Sequence, residues 1–402
     1  MIKYIKTSKL SLLLQIALIP SAIFLFALTP EYGIFRVDRR TTVGMGEYPS
    51  AAFDSQDNFM MSWMMNDRRD NCDYKIYARL YNSECVPLGN DFRVNTGLSA
   101  QHRVHHPTIV VDDNDIFTVV WAKHGGGIFA KRYKNSGDPI SDEFRVDADS
   151  SGGTPHLSVG ANNDIILVWR SDHIRARILK NGDAGSISEE IIVDESSEKN
   201  LVYSPVVASG NKGDFMVAWL DERNDRRDVY ARLFNKNADP LGNDFLVAEA
   251  NVGKIFYRRL SISVNSKGNY AIVWRDSRDG KCYIRLLDHG GLPLTEIQVV
   301  EELADRRAEP SVAVDKNDNF VTALGKHIRC YDENGNPITR EIKLIRGFYR
   351  PCAPMLTFNS RNMLLMVWHD SRDMRNPPNM GDNLYIMAGM WDINSYISTK
   401  QE

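Results

Sequence analysis

Tyrosine, arginine and histidine recur in this 402-residue chain close to a repeated proline, and they are residue types that recognise sugars and carboxylates. Tyr48, Arg103, His106, Tyr203, Tyr257, Arg258, Arg307, Tyr349 and Arg350 all fall there. Aromatic rings stack on the apolar C–H faces of sugars, and a guanidinium fork matches a carboxylate or sulfate. A second set, Arg223, Arg278 and Arg372, follows a tryptophan in the pattern W-x-D-x-R. If one face gathers both sets, it would bind a glycan, an acidic one included, or a surface protein. The plainer reading is scaffold. Tyr and Arg then pack between repeats with their polar ends in water, and Asp and Arg two residues apart form ion pairs that cap backbone donors.

Histidines supply the other candidate chemistry. His124, His173, His327 and His369 each fall just after a repeated tryptophan-strand position, and their convergence would give a metal site or an acid–base pair. No compact ligand motif such as HExxH is present, so neither metal nor cofactor is expected. His105 and His106 stand beside Arg103.

These residues lie between elements of a repeat. In Asp214–Val247, the runs DFMVAW, DVYARLF and FLV are rich in β-branched and aromatic residues and are separated by turn formers. With Pro205-Val206-Val207-Ala208 ahead of them, they make four short antiparallel strands in about fifty residues, the size of one propeller blade. The second strand aligns along the chain: FMMSW to Trp63, FTVVW to Trp121, IILVW to Trp169, FMVAW to Trp219, YAIVW to Trp274, FVTAL to Leu324 and LLMVW to Trp368. Near-continuous apolar character in these strands predicts burial on both faces.

The ends define the closure. The seventh unit runs through LYIMAGMW and stops at Asp392-Ile393-Asn394 without a fourth strand, while an orphan IFRVDRRTT stands at Ile34–Thr42 and copies FRVNTG and FRVDAD. The expected fold is therefore all-β: a seven-bladed β-propeller of four-stranded antiparallel blades, spanning residues 31–402, with the N-terminal strand 34–42 completing the last blade. Such a ring has no open edges.

The pattern W-x-D-x-R, IYARLF, G-x-P-L-G-x-x-F-x-V-N resembles the repeats of exported bacterial β-propeller proteins over essentially all of Ile34 to Trp391. The resemblance implies an extracytoplasmic propeller and no particular reaction. The Tyr/His/Arg set near His106 is similar in residue type to one that some propeller polysaccharide lyases use to neutralise a uronate and abstract its proton. A sialidase is disfavoured, because the turns before the tryptophans lack the S-x-D-x-G-x-x-W form. The leading expectation is a non-catalytic binding module. A polysaccharide lyase or glycoside hydrolase on the same face and a structural envelope component are the alternatives.

Composition bounds these readings. With 43% hydrophobic and 25% charged residues the chain can bury a large core, and a net charge of -3 gives no field for nucleic acid. Lys3, Lys6 and Lys9 precede an apolar run from Leu10 to Leu28, which predicts residues 1–30 to be an export signal, either cleaved or retained as an anchor. Membrane contact is expected only through that segment, and the propeller is expected to be a monomer outside the cytoplasm. The odd count of five cysteines, Cys72, Cys85, Cys282, Cys330 and Cys352, suggests free thiols rather than a disulfide framework.

Overall fold

The β-branched and aromatic residues of each repeat form three long strands, followed by a fourth of only two to four residues. The computed structural model describes residues 33–38, 44–67, 73–97, 99, 103–148, 152–180, 188–196, 201–252, 260–301, 309–346, 349, 351–370 and 385–398. These form seven four-stranded antiparallel sheets, the blades of a seven-bladed propeller. Blade 1 starts at Gly44, blade 2 at Val104, blade 3 at Gly153, blade 4 at Val202, blade 5 at Leu260, blade 6 at Pro310 and blade 7 at Pro351. Ile34–Arg36 pairs antiparallel with Tyr385–Asp392, so the N-terminal strand does complete blade 7. Residues 39–42 of that expected strand, and the predicted export segment, lie outside the described residues.

The hydrophobic core lies between blades. Every residue of the second strand of blade 4, Phe215–Asp221, and of blade 7, Met363–Asp370, is buried. One apolar cluster joins blades 1 and 2, another joins 4 and 5, and a third joins 7 and 1. The six aligned tryptophans are at most 1% exposed, and Leu324 takes their place in blade 6. Among the described residues no helix is long and apolar enough to cross a membrane.

The fourth strands are shorter than the FRVN and FRVD motifs suggest. After two ladder residues in blade 1, Val94 donates its N–H to Ile76 O and Asn95 Oδ1 accepts the Ile76 N–H. Asp147 does the same for Ile128, and Asp194 for Ile174. A side chain thus replaces the backbone partner of the Ile76, Ile128 and Ile174 amides, and the ladder ends.

Turns at the lower face, between first and second strands, stitch neighbouring blades together at five junctions. Asp57, Asp115, Asn163, Asp318 and Asn362 all have positive φ, between 59° and 64°, which Asn and Asp tolerate better than most residues. Their side chains accept from the preceding blade: Ser55 N–H to Asp115, Asp113 N–H to Asn163, Ser266 N–H to Asp318 and Lys316 N–H to Asn362. Ser360 N–H and Oγ–H to Asp57 bind blade 7 to blade 1. Gly213 occupies the corresponding turn of blade 4 at φ 87°, where a Cβ would lie 2.5 Å from the Ala161 methyl. That close approach is open only to glycine.

Candidate ligand site at the channel mouth

The upper end of the first strands carries a repeated distortion. The residue before the proline has positive φ in five blades: Tyr48 (53°), His106 (53°), Thr154 (49°), Ser204 (49°) and Ala353 (45°). Proline has no N–H to give the ladder, and the register slips by one residue across each of these positions, as between Glu47 and Ser50 or His105 and Thr108. Such bulges re-aim side chains. A left-handed L-residue costs about 1–2 kcal/mol, so the mouth is a ring of held strain.

In one sector the distortion gathers rings from three consecutive blades. The Tyr48 ring lies 4.3 Å from that of His106 and 6.4 Å from that of His369, centroid to centroid. His106 meets His105 edge-on at 4.9 Å, and His105 meets His124 at 6.5 Å. Tyr48 and His369 are buried, His105 and His106 half-buried and His124 exposed. Burial, and then the His124 imidazole, push His105 down to about 4, while burial alone lowers His369 to about 4. These two imidazoles are therefore neutral at pH 7. Burial raises the Glu47 carboxyl, next to Tyr48, to about 7. The half-buried His105 and His106 and the exposed His124 leave imidazole surface for stacking at this sector. Among the described residues no three His, Cys, Asp or Glu side chains are grouped so as to hold a metal ion.

The arginines of W-x-D-x-R are committed within the fold. Arg223 reaches Asp221 at 2.6 Å and Asp244 at 2.7 Å while lying over the Tyr230 ring, and Trp219 Nε1 donates to the same Asp221 carboxylate at 3.0 Å. Arg278 bonds Asp276 at 2.5 Å and Glu249 O at 3.1 Å, though half of its side chain is exposed. The guanidiniums of Arg170 and Arg227 both lie over the Tyr203 ring, and the Tyr203 hydroxyl donates to Glu222. Tyr349 stands edge-on to Trp368, and exposed Arg103 accepts the His124 N–H at its carbonyl. Tyr257, Arg258, Arg307, Arg350 and Arg372 lie outside the described residues. Of the four post-strand histidines, His124 and His369 join the mouth cluster. His173 instead binds Asp194 at 2.9 Å, and His327 lies 3.4 Å from Glu341.

Sequence reasoning missed the residues at the position after the repeated proline, or after Leu260 in blade 5, which line the channel. Ser50 Oγ accepts the Ile109 N–H, His156 Nδ1 the Val207 N–H, Ser261 Oγ the Val312 N–H and Ser311 Oγ the Leu356 N–H, each at 3.2–3.3 Å. Met355 Sδ accepts the Ala51 N–H at 3.2 Å. Five blade junctions are sealed at this level. The detectable signal was polar residues at a fixed offset in otherwise apolar strands. Inside the ring runs a cavity of 420 Å³, and a smaller one of 60 Å³ sits at its mouth, bounded by Tyr48, Glu309 and three prolines.

No protein-family profile and no curated protein sequence matches the chain. Solved structures do. The chain is similar to a protein of unknown function from Dyadobacter fermentans, with TM-score 0.51 and 11% identity over 89% of this chain and 98% of that one. It is similar to polysaccharide lyase Uly1, with TM-score 0.52 and 8% identity over 83% and 88%. It is also similar to the NanB sialidase of Streptococcus pneumoniae, with TM-score 0.50 and 8% identity over 90% and 70%. What is shared is the propeller fold. At these identities no residue role carries across.

Proposed function

We propose that the protein is an exported propeller that binds a glycan at the mouth of its central channel. The observation that carries this reading is the gathering of Tyr48, His105, His106, His124 and His369 at one sector of the mouth, while the described W-x-D-x-R arginines are held in internal ion pairs. Aromatic and imidazole faces are the surfaces on which sugar rings stack. Export rests on Lys3, Lys6 and Lys9 ahead of the apolar run Leu10 to Leu28. Affinity electrophoresis of the purified chain through gels containing neutral, uronate-bearing and sulfated polysaccharides tests the reading. Retardation by at least one polymer, weakened by His106→Ala, is the expected result. Migration unchanged in every gel overturns it and moves the weight to a protein partner.

A second reading is favoured by the contact between a phenol and an imidazole at Tyr48 and His106. Such a set can move a proton, so a polysaccharide lyase or glycoside hydrolase at the same mouth is the alternative. New reducing ends in a retarding polymer, produced by the intact chain and lost in Tyr48→Phe, would select it.

A further inference from the structure

The residue after the aligned tryptophan meets a tyrosine of the next blade at two nearly opposite junctions. In blade 7 that residue is His369, whose ring lies 6.4 Å from that of Tyr48 in blade 1. In blade 3 it is Arg170, the last residue of the second strand Ile165–Arg170, and its guanidinium carbon lies 4.5 Å from the centroid of the Tyr203 ring in blade 4. The two junctions are three steps apart around a ring of seven blades. One repeat position therefore carries a neutral imidazole on one side of the upper face and a guanidinium on the other.

Arg170 is oriented within the fold but not neutralised there. Its Nε donates to Val202 O at 2.9 Å, and the Tyr203 face supports the planar fork. A second guanidinium, that of Arg227, lies 4.0 Å from the same ring centroid, so two positive charges share one phenol. Both oxygens of the adjacent Glu222 are taken, Oε1 by Arg227 Nε at 2.7 Å and Oε2 by the Tyr203 hydroxyl at 3.1 Å. Arg227 is thereby paired and only 12% exposed, whereas Arg170 is half-buried and forms no ion pair among the described residues. Arg223, Arg226 and Arg278 each bond a carboxylate. Burial above all lowers the Arg170 pKa, and the Arg227 charge adds to it against Tyr203 and Glu222, so this corner is short of negative charge. A fixed fork of N–H donors in that setting matches the paired oxygens of a carboxylate or sulfate.

We propose that Arg170, reinforced by the charge of Arg227, is an anion subsite at the junction of blades 3 and 4 that takes the carboxylate or sulfate group of an acidic glycan. The inference rests on the glycan-binding reading and deepens it by naming the class of glycan. Sugar faces stack on the imidazole sector of blades 7, 1 and 2, and the guanidinium across the upper face selects chains that carry an acid group.

Affinity electrophoresis of the intact chain in dextran, alginate and dextran sulfate gels, each compared with a polymer-free gel, separates the outcomes. The expected result is stronger retardation by alginate, by dextran sulfate or by both than by dextran; alginate alone identifies a carboxylate and dextran sulfate alone a sulfate. Arg170→Gln should weaken retardation by the acidic polymer about tenfold and leave any retardation by dextran unchanged. Arg170→Lys should restore only part of the loss, because an ammonium lacks the planar fork. Glu222→Gln removes the competing negative charge while keeping an acceptor for Arg227, and it should strengthen retardation by the same polymer about twofold or more. Cooperative urea unfolding like that of the wild type qualifies a variant, and either Arg170→Gln or Glu222→Gln suffices. Acidic retardation unchanged in a qualified variant, an equal loss toward dextran and the acidic polymers, or retardation by dextran alone overturns the inference and leaves glycan binding at the stacking sector. Absence of retardation in all three gels overturns both.

Discussion

The two ends of the channel are built from the same strands and treat backbone strain in opposite ways. At the lower face, positive φ falls on Asp57, Asp115, Asn163, Asp318 and Asn362, and each side chain also accepts a bond from the neighbouring blade. At the upper face, positive φ falls on Tyr48, His106, Thr154, Ser204 and Ala353, directly before proline. The lower residues tolerate that backbone and use it to close the ring. The upper ones tolerate it poorly, and their side chains differ from blade to blade. Uniform, satisfied geometry marks scaffold, whereas varied residues on a strained frame mark where a repeat has been adapted.

The lower belt should therefore break first. Asp57 receives Ser360 N–H at 2.8 Å, Ser360 Oγ–H at 3.1 Å and Arg361 Nε–H at 3.0 Å, all across the junction of blades 7 and 1. Asp57→Ala removes three acceptor contacts and leaves alanine in a left-handed backbone, at a cost of about 3 kcal/mol in unfolding free energy. Asp57→Asn keeps an acceptor and tolerates the backbone, so it should lose less than half as much. Urea unfolding of both measures the difference. Equal losses would mean that the bonds across this junction contribute little to closing the ring.

The sequence made the ring visible but hid the belt and the mouth, for a physical reason. Strand repeats, tryptophan spacing and the orphan IFRVD reflect periodic demands of burial and pairing, which a single chain states seven times. The Tyr48–His369 contact joins residues more than three hundred positions apart and follows only once the ring is closed. Arg223 and Arg278 were compatible with ligand contacts beside the plainer reading as ion pairs, because charge and spacing do not specify a partner. Asp244, the second partner of Arg223, sits in a turn of the G-x-P-L-G-x-x-F type whose position relative to the arginine only folding defines.

Charge at the mouth supplies the next difference. His105 and His369 have folded pKa values depressed to about 4 from about 6.5, so the stability each contributes is present above pH 6.5 and is lost as pH falls toward 4. Between pH 7 and pH 5 that is about 2 kcal/mol per imidazole. Glu47 has the opposite sign. Its folded value is raised to about 7 from 4.5, so its contribution is present below pH 4.5 and is lost as pH rises through 7. His369→Gln should therefore flatten the rise in stability from pH 5 to pH 7, and Glu47→Gln should steepen it. Denaturant midpoints at the two pH values show whether the slopes move in opposite directions, and slopes that move together would rule out this assignment of the mouth charges. The Asp57→Ala/Asp57→Asn difference should not depend on pH in this window.

Binding and stability should also separate at the mouth. Tyr48→Phe keeps the ring against His106 and removes one hydroxyl. Its effect on unfolding should stay within about 1 kcal/mol. Retention by a binding polysaccharide should fall about tenfold, equivalent to about 1.4 kcal/mol. Affinity electrophoresis beside thermal unfolding reads the two quantities on the same sample. A loss of stability without loss of retention would make Tyr48 a packing residue like the aromatics of the blade junctions.

The smallest effect is the most direct test of upper strain. Ala353 carries φ 45° before Pro354 and has only a methyl group to lose. Replacing it with glycine releases about 1–2 kcal/mol of left-handed strain and returns part of it through the greater freedom of the unfolded chain. Ala353→Gly should therefore stabilise the protein by about 0.5–1 kcal/mol, a rise measurable in the urea midpoint. Glycine at Asp57 should do the reverse, because there the side chain contributes bonds that outweigh its strain. Opposite signs for the same replacement at two left-handed residues would place the unrelieved strain at the mouth and the compensated strain at the belt. Equal signs would show that both ends of the channel handle their backbone alike.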